Sequence, residues 1–369
     1  MDSGCTGSCP QHGALQPLAA KEDWGYVTVR DGAHMFWWLY GPSEGQSAGP
    51  SGLPLILWLQ VQAASVLFVD NPVGTGFSYT DRPDAFATNV ATVASDMLVL
   101  LQHFFTQRAD LQSVPFYIFS ESYGGKMAAA LSLELTKAVT QGTVKCNFAG
   151  VALGDSWISP LDSVMTWGPA AEAVKRAVEQ EQFEKATELW SVLETVVEQN
   201  SNGVNFYNIL TQEPDESRSS AAGEDYISLQ VRRHIRPLHS QSLSQLMNGP
   251  IRKKLGIIPQ NVTWGGQAEE VFSYMAGDFM RPVVDVVDQL LSTGVNELWV
   301  KRLKWEGLPV FNKMRWTPLD DPTSQGVTGA FCKTYKNFGF YWILKAGHMI
   351  PSDQGPMALQ MMKMITRQV

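Results

Sequence analysis

The sequence is poor in the features that mark several large protein classes. Only 17% of its residues are charged, and no lysine or arginine run is long enough to follow a phosphate backbone. A nucleic-acid partner is therefore not expected. The most basic stretch, residues 252–254, is explained by a solvated helix face. No apolar stretch has the length needed to cross a bilayer. The apolar fraction of 44% instead indicates a folded protein with a large interior.

Cysteine is also scarce, with four residues in the chain. Cys5 and Cys9 lie in a tail of small residues, 1–20, which we expect to be disordered. Cys146 and Cys332 flank apolar segments. Two buried free thiols explain this pair at least as well as one disulfide, so cysteine usage does not assign a compartment.

Two further features bear on the compartment. Residues 1–20 lack the basic and then apolar pattern of a secretory signal. One glycosylation triplet occurs at Asn261, and it would accept a glycan in a secreted protein. Such triplets also arise by chance, so Asn261 is weak support for secretion.

The order of apolar segments predicts an α/β fold with a mostly parallel sheet. Residues 26–30 and 34–39 flank an Asp-Gly pair and predict a β-hairpin. Further along, continuous apolar runs are typical of strands buried on both faces. Residues 90–105 carry apolar side chains at helical spacing and predict a crossover helix. The apolar runs are residues 53–59, 64–69, 114–119 and 148–153.

The chain changes texture between residues 162 and 263. Good helix formers with amphipathic spacing dominate residues 170–199. We therefore predict a helical cap, residues 162–263, inserted into a core formed by residues 21–161 and 264–369. The sheet pattern is expected to resume at residues 340–344, before a final helix at 357–366.

A buried strand that runs directly into a helix carries the most informative serine, Ser122. Small residues two positions before and after it, Ser120 and Gly124, permit the strained turn of a nucleophile elbow, although Ser120 replaces the usual first glycine. The Tyr123 N–H at the helix start would face a developing oxyanion. The alternative interpretation is a glycine-rich turn with a capping serine.

A serine nucleophile needs a base, and the chain has six histidines. In the α/β-hydrolase fold the catalytic histidine comes last, in a loop after a late strand. His348 has this position, directly after the apolar residues 340–344. We therefore predict that His348 is the base, the alternative being an ordinary surface histidine.

At this point the sequence resembles the serine carboxypeptidases, peptidase family S10. The resemblance extends over most of the chain from about residue 24 to the C-terminus, and it implies an α/β-hydrolase fold. The matching stretches are residues 68–79 (FVDNPVGTGFSY), 120–125 (SESYGG), 154–160 (GDSWISP), 264–267 (WGGQ) and 347–354 (GHMIPSDQ).

The resemblance implies removal of C-terminal residues from peptides at acidic pH, in a secreted or lysosomal protein, without a metal or cofactor. Glu121 matches the glutamate that helps to recognise the terminal carboxylate of the substrate. Two carboxyl groups bind each other well only when one holds a proton, which links this recognition to low pH. From the residues alone, an ion pair between Glu121 and Lys126 is an equally good interpretation.

The sequence also departs from the family in two places. After residues 55–59 the family has a glycine-rich loop that supplies the second oxyanion donor, whereas here residue 60 leads almost directly into the next matching strand. The strand that carries the catalytic aspartate is likewise missing between Asn296 and Glu297. The carboxylates nearby, Asp320, Asp321 and Glu297, do not match the family position, so no catalytic aspartate is identified.

These departures leave other functions open. A non-catalytic relative that binds peptides or a partner protein is the first alternative, and a truncated splice product is the second. Deleting a strand from within a parallel sheet would expose backbone groups that must pair again. An esterase or acyltransferase that uses Ser122 on the same scaffold is ranked last.

Overall fold

The computed structural model describes residues 20–43, 53–57, 65–165, 168, 171–212, 225–235, 241–293 and 303–368. The predicted disordered tail lies outside these residues except for Ala20, and so do Cys5 and Cys9. Both departures from the family, after residue 59 and at residue 296, also fall outside the described residues. None of the helices in the described part of the chain is long and apolar enough to cross a membrane.

Strands and helices alternate through the first half of the chain and helices dominate its middle. The strands are β1 (Ala20–Arg30), β2 (Ala33–Ser43), β3 (Leu55–Leu57), β4 (Ser65–Val69), β5 (Tyr79–Thr80), β6 (Pro115–Glu121), β7 (Asn147–Gly154), β8 (Thr317–Asp320), β9 (Thr328–Tyr335) and β10 (Phe338–Ile343). The α-helices are α1 (Val90–Gln107), α2 (Tyr123–Thr140), α3 (Pro160–Val164), α4 (Glu172–Glu179), α5 (Phe183–Asn200), α6 (Tyr226–Gln230), α7 (Gln241–Leu246), α8 (Arg252–Leu255), α9 (Ala268–Phe279), α10 (Val284–Thr293), α11 (Leu308–Lys313), α12 (Ile350–Asp353) and α13 (Gly355–Ile365).

The main sheet has the strand order β1-β2-β4-β3-β6-β7, with β5 paired to β2. The pairs β4–β3, β3–β6 and β6–β7 are parallel, which confirms the predicted parallel sheet. The predicted hairpin is β1–β2, and Gly32 in its turn has a φ of +68°, a value that favours glycine.

Helices cover both faces of this sheet. The apolar faces of α1 and α2 pack on one side, through buried residues such as Leu100, Phe104 and Leu135. On the other face, Met362 of α13 contacts Ile56 and other buried strand residues. The strands are apolar throughout because both of their faces are covered.

The end of the chain differs from the expectation that the core sheet resumes there. β10 pairs only with β9 among the described strands, and β8, β9 and β10 form a separate antiparallel sheet. A two-residue turn at Lys336 and Asn337 joins β9 to β10, so the two strands pair locally. β7 is consequently an edge strand within the described sheet.

The middle of the chain is helical, as its composition predicts. α4 and α5 pack together into a second apolar cluster that includes Trp190 and Met280. A turn separates the two helices, and Glu181 in this turn has a φ of +56°. The cysteines of the described residues, Cys146 and Cys332, are free thiols, and only Cys332 is fully buried.

A buried ion pair joins α2 to α9. Lys126 Nζ lies 3.0 Å from Asp278 Oδ2, and their side chains are 0% and 1% exposed. Asp278 also accepts a hydrogen bond from Tyr123 Oη. Burial lowers the pKa of Lys126 to about 8. This pair fixes the first turn of α2, which directly follows Ser122.

We expect Lys126→Met to lower the free energy of unfolding by about 3–5 kcal/mol, because it leaves a buried carboxylate without its cation. Urea denaturation would measure this change. Lys137→Met is the matched control, since Lys137 lies on the same helix in an exposed pair with Glu134, and its cost should stay below about 1 kcal/mol. Equal effects of the two substitutions would contradict the assigned importance of the buried pair.

Candidate active site

Ser122 occupies a strained turn between β6 and α2. Its φ of 60° and ψ of −134° lie in a region that residues with side chains rarely adopt. Three backbone hydrogen bonds hold it there. Ser122 N donates to Gly154 O at 3.1 Å, and Ser122 O accepts from Gly125 N at 3.0 Å and from Trp157 N at 2.9 Å. The geometry is that of the predicted elbow.

The glycines after Ser122 are required by close packing. A Cβ atom on Gly125 would lie 2.2 Å from Ser156 Cβ, and one on Gly124 would lie 2.2 Å from Ser120 Oγ. Such distances are far shorter than a van der Waals contact. The first turn of α2 therefore lies directly against the segment that follows β7.

Tyr123 begins α2, so its N–H has no carbonyl partner within the helix. No other hydrogen bond reaches this N–H within the described ranges. The positive end of the helix dipole adds to its attraction for an anion. The tyrosine ring itself serves a structural purpose, because its hydroxyl donates to the buried Asp278.

His348 lies in the loop between β10 and α12, at the same end of the main sheet as Ser122. Its backbone N–H donates to Tyr207 O at 2.7 Å, and the two rings pack with centroids 5.3 Å apart. A Cβ atom on Gly347 would lie 2.5 Å from Tyr207 O, so glycine permits this approach. Asp353 Oδ2 accepts from Gly347 N and fixes the loop from its other side.

The ring of His348 is bound by a carboxylate that the sequence analysis did not select. Its Nδ1 lies 2.5 Å from Asp155 Oδ2. Asp155 follows β7, and the carboxyl ends of neighbouring parallel strands meet at one edge of a sheet, which is where the elbow lies. The position of Asp155 directly after a predicted parallel strand was the sequence feature that could have identified it. Of the carboxylates considered earlier, Asp320 ends β8 and Asp321 binds Thr323, while Glu297 lies outside the described residues.

No hydrogen bond joins Ser122 Oγ to His348 Nε2 in the described part of the structure. The two side chains are nevertheless connected through one backbone segment, because Gly154 accepts from Ser122 N and the next residue, Asp155, binds the imidazole. Catalytic hydrogen bonds are often long before substrate binds. Of the other described histidines, His34 pairs with the surface residue Asp81, and His234 binds Glu194 and the hydroxyl of Tyr207, on the far side of Tyr207 from His348.

Glu121 immediately precedes Ser122 and contacts the histidine loop. Its Oε1 accepts a hydrogen bond from Ile350 N at 3.1 Å. Burial raises the pKa of Glu121 to about 7, against the lowering effects of this hydrogen bond and of His348. The alternative ion pair of Glu121 with Lys126 is wrong, since Lys126 is buried against Asp278.

The charge of His348 depends on both of these carboxylates. Burial alone lowers the pKa of His348, but the hydrogen bond and charge of Asp155, together with the charge of Glu121, raise it above its ordinary value. The imidazolium is therefore favoured in this site. An acid–base group of raised basicity beside a serine is suited to accept the serine proton.

A large cleft of about 1120 Å³ opens beside these side chains. Residues 149–155, which form most of β7 and end at Asp155, line one wall, and all of β10 lines another. Side chains of α13 form its apolar floor. The cleft thus lies between two strand edges, and Glu121 and Asp155 stand at its border.

Comparison with known proteins relates the chain to one family. The family model described as serine carboxypeptidase matches residues 61–368. The mouse retinoid-inducible serine carboxypeptidase is 50% identical over 416 residues, covering 94% of this chain and 92% of the relative. Serine carboxypeptidase-like 51 of Arabidopsis thaliana is 35% identical and covers 98% of this chain. The mouse alignment is longer than this chain, so some positions of the relative have no counterpart here.

A solved structure shows the same fold. The crystal structure of Kex1(delta)p, a prohormone-processing carboxypeptidase from Saccharomyces cerevisiae, superposes with a TM-score of 0.74. The match covers 95% of this chain and 92% of the yeast chain at 14% identity. The α/β-hydrolase prediction is confirmed by this likeness.

The close packing of the elbow leads to a stability prediction. Gly125→Ala should lower the free energy of unfolding by about 1–3 kcal/mol, because the new methyl group overlaps Ser156. Adding Ser156→Gly should restore most of this loss. Thermal or urea denaturation would measure both changes. Gly277→Ala is the control, since Gly277 lies in α9 with open space around it, and it should be neutral or stabilising. A double variant no more stable than Gly125→Ala would refute the contact.

Proposed function

Because the chain belongs to the serine carboxypeptidase family, we propose that it removes C-terminal residues from peptides with Ser122 as the nucleophile. The observation that carries this proposal is the strained backbone of Ser122 at the N-terminus of α2. A φ of 60° at a serine persists only where the surrounding structure enforces it, and such strain is concentrated at functional sites. The neighbouring His348 loop and Glu121 support the same conclusion.

The residues of the site fulfil the roles of acyl transfer. His348 takes the proton of Ser122 as its oxygen attacks the scissile carbonyl, and the Tyr123 N–H stabilises the oxyanion. His348 then returns the proton to the amine of the leaving amino acid, and an ester forms on Ser122. Water, deprotonated by His348, hydrolyses this ester and releases the shortened peptide.

Glu121 gives the proposed reaction its preference for a free C-terminus. With a pKa of about 7, this carboxyl group is protonated in mildly acidic solution. It then donates its O–H to the terminal carboxylate of the peptide, whereas the ionised form repels that carboxylate. Recognition should therefore weaken as the pH rises through 7.

The proposed rate is lower than that of a complete member of the family. The predicted absence of the glycine-rich loop removes one oxyanion donor, and one such donor typically contributes about 10²- to 10³-fold in rate. Tyr123 N–H is then the identified donor. The proposed reaction still has its nucleophile Ser122, its base His348 and one oxyanion donor, the Tyr123 N–H.

Three further predictions from the sequence concern the helical cap, the compartment and the glycosylation of Asn261. We infer that residues 162–263 form a cap over the core, and Tyr207 of this segment does contact the histidine loop. A secreted or lysosomal site fits the family. Asn261 is exposed in a turn, a position open to glycosylation.

A second candidate function is the binding of an extended peptide without hydrolysis. The cleft between β7 and β10 favours it, because a strand edge offers backbone donors and acceptors to an added strand. The apolar side chains of α13 would cover one face of such a peptide. This function needs only the cleft and not the nucleophile.

Labelling with a fluorophosphonate probe tests the proposed nucleophile. At about pH 7 the probe should modify Ser122, as read by peptide mass spectrometry, and Ser122→Ala should remove both labelling and hydrolysis of a blocked dipeptide. The same dipeptide with an amidated C-terminus is the control and should be hydrolysed far more slowly. Turnover of small esters without peptides would favour the esterase alternative. A folded chain that binds the dipeptide in calorimetry without any labelling would favour the binding function instead.

The pH dependence of kcat/KM tests Glu121. Activity on a free-carboxylate peptide should increase as His348 loses its proton and decrease as Glu121 ionises near pH 7. Glu121→Gln should remove the decrease on the basic side, because its amide donates a hydrogen bond at every pH. The increase on the acidic side should move to lower pH, because the charge of Glu121 that raises the pKa of His348 is lost. A small ester substrate without a carboxylate serves as the control for the histidine alone. An unchanged basic limb in the variant would exclude this role of Glu121.

A further inference from the structure

We propose that Asp155 is the residue that positions His348 in this chain, holding Nδ1–H so that Nε2 is left to accept the proton of Ser122. The inference rests on the proposed function and names the carboxylate that the sequence analysis could not find. Asp155 touches neither the substrate nor Ser122 Oγ in this assignment. It acts through the imidazole and is therefore a positioning residue.

The contact between the two side chains defines the tautomer of the histidine. Asp155 Oδ2 lies 2.5 Å from His348 Nδ1, within hydrogen-bond distance. An ionised carboxylate only accepts hydrogen bonds, so Nδ1 must carry a proton. In the neutral imidazole Nε2 is then unprotonated, which is the state that a base requires.

Backbone hydrogen bonds from the residues on either side of Asp155 connect it to Ser122. Gly154 O accepts the N–H of Ser122, and Trp157 N donates to the carbonyl of Ser122. Between these contacts, Ser156 packs against Gly125 in the first turn of α2. The segment 154–157 thus encloses the elbow, and the positive φ of 36° at Asp155 shows that its backbone is held in an unusual conformation.

The charges around His348 agree with this role. Asp155 faces the ring from the end of β7 and Glu121 from the end of β6, and both raise the pKa of His348. Tyr207 packs on the ring from the helical segment, and Asp353 of α12 binds the neighbouring Gly347 N. Of these groups, Asp155 is the one hydrogen-bonded to the imidazole.

The exposure of Asp155 limits the size of its effect. Its side chain is 58% exposed, whereas that of His348 is 19% exposed. A buried triad aspartate contributes about 10⁴-fold in rate, but water screens an exposed charge. We therefore expect about a 10- to 100-fold loss when the charge of Asp155 is removed, from the fixed tautomer and the orientation of the ring.

The test compares Asp155→Asn with Asp320→Asn, a control that removes the same charge from an exposed position at the end of β8. Fluorophosphonate labelling of Ser122 is followed as a function of pH, and the ring signals of His348 are titrated by NMR. Asp155→Asn should slow labelling about 10- to 100-fold and lower the pKa of His348. Asp320→Asn should change neither. An unaltered labelling rate and pKa in Asp155→Asn would overturn the proposal.

Two further readouts separate this proposal from the proposed function. If wild-type Ser122 is not labelled, the proposed function fails, while the NMR titration still decides whether Asp155 sets the pKa of His348. If Asp155→Asn does not fold, the imidazole nitrogen shifts of the wild-type chain decide the tautomer. A proton on Nδ1 above the pKa supports the proposal, and a proton on Nε2 refutes it.

Discussion

The site depends on the backbone contact between Ser122 and the segment that follows β7. A serine with positive φ is unfavourable by about 1–3 kcal/mol, so the surrounding structure must enforce it. Gly154 and Trp157 do so through hydrogen bonds to the two backbone polar groups of Ser122. The parallel pairing of β6 with β7 sets the register of these bonds. The same segment carries Asp155, so one contact shapes both the conformation of Ser122 and the environment of His348.

Burial at the end of the sheet gives the site its acid–base character. Glu121 and Asp155 leave adjacent strands and approach the same imidazole, and both raise the pKa of His348. The partly buried Glu121 holds its proton to about pH 7. The more exposed Asp155 is hydrogen-bonded to His348 Nδ1. One edge of a sheet thus combines a carboxylic acid and a histidine-binding carboxylate.

Within the described residues, β7 is the last strand of the main sheet, and its outer edge is not paired with another described strand. β10 belongs to its own antiparallel sheet, and the cleft lies between the two strand edges. A strand is predicted to be missing near residue 296, and a cleft bordered by β7 is compatible with that prediction.

The features that local chemistry dictates could be predicted from the sequence. Apolar runs predicted the parallel strands, and small residues around Ser122 predicted the elbow, since both signals lie within a few neighbouring residues. Which distant groups meet became visible with the folded chain. Asp155 and His348 are 193 residues apart, and Lys126 binds Asp278 rather than Glu121. Such pairings, and the pKa of Glu121, depend on packing and burial, which no local pattern records.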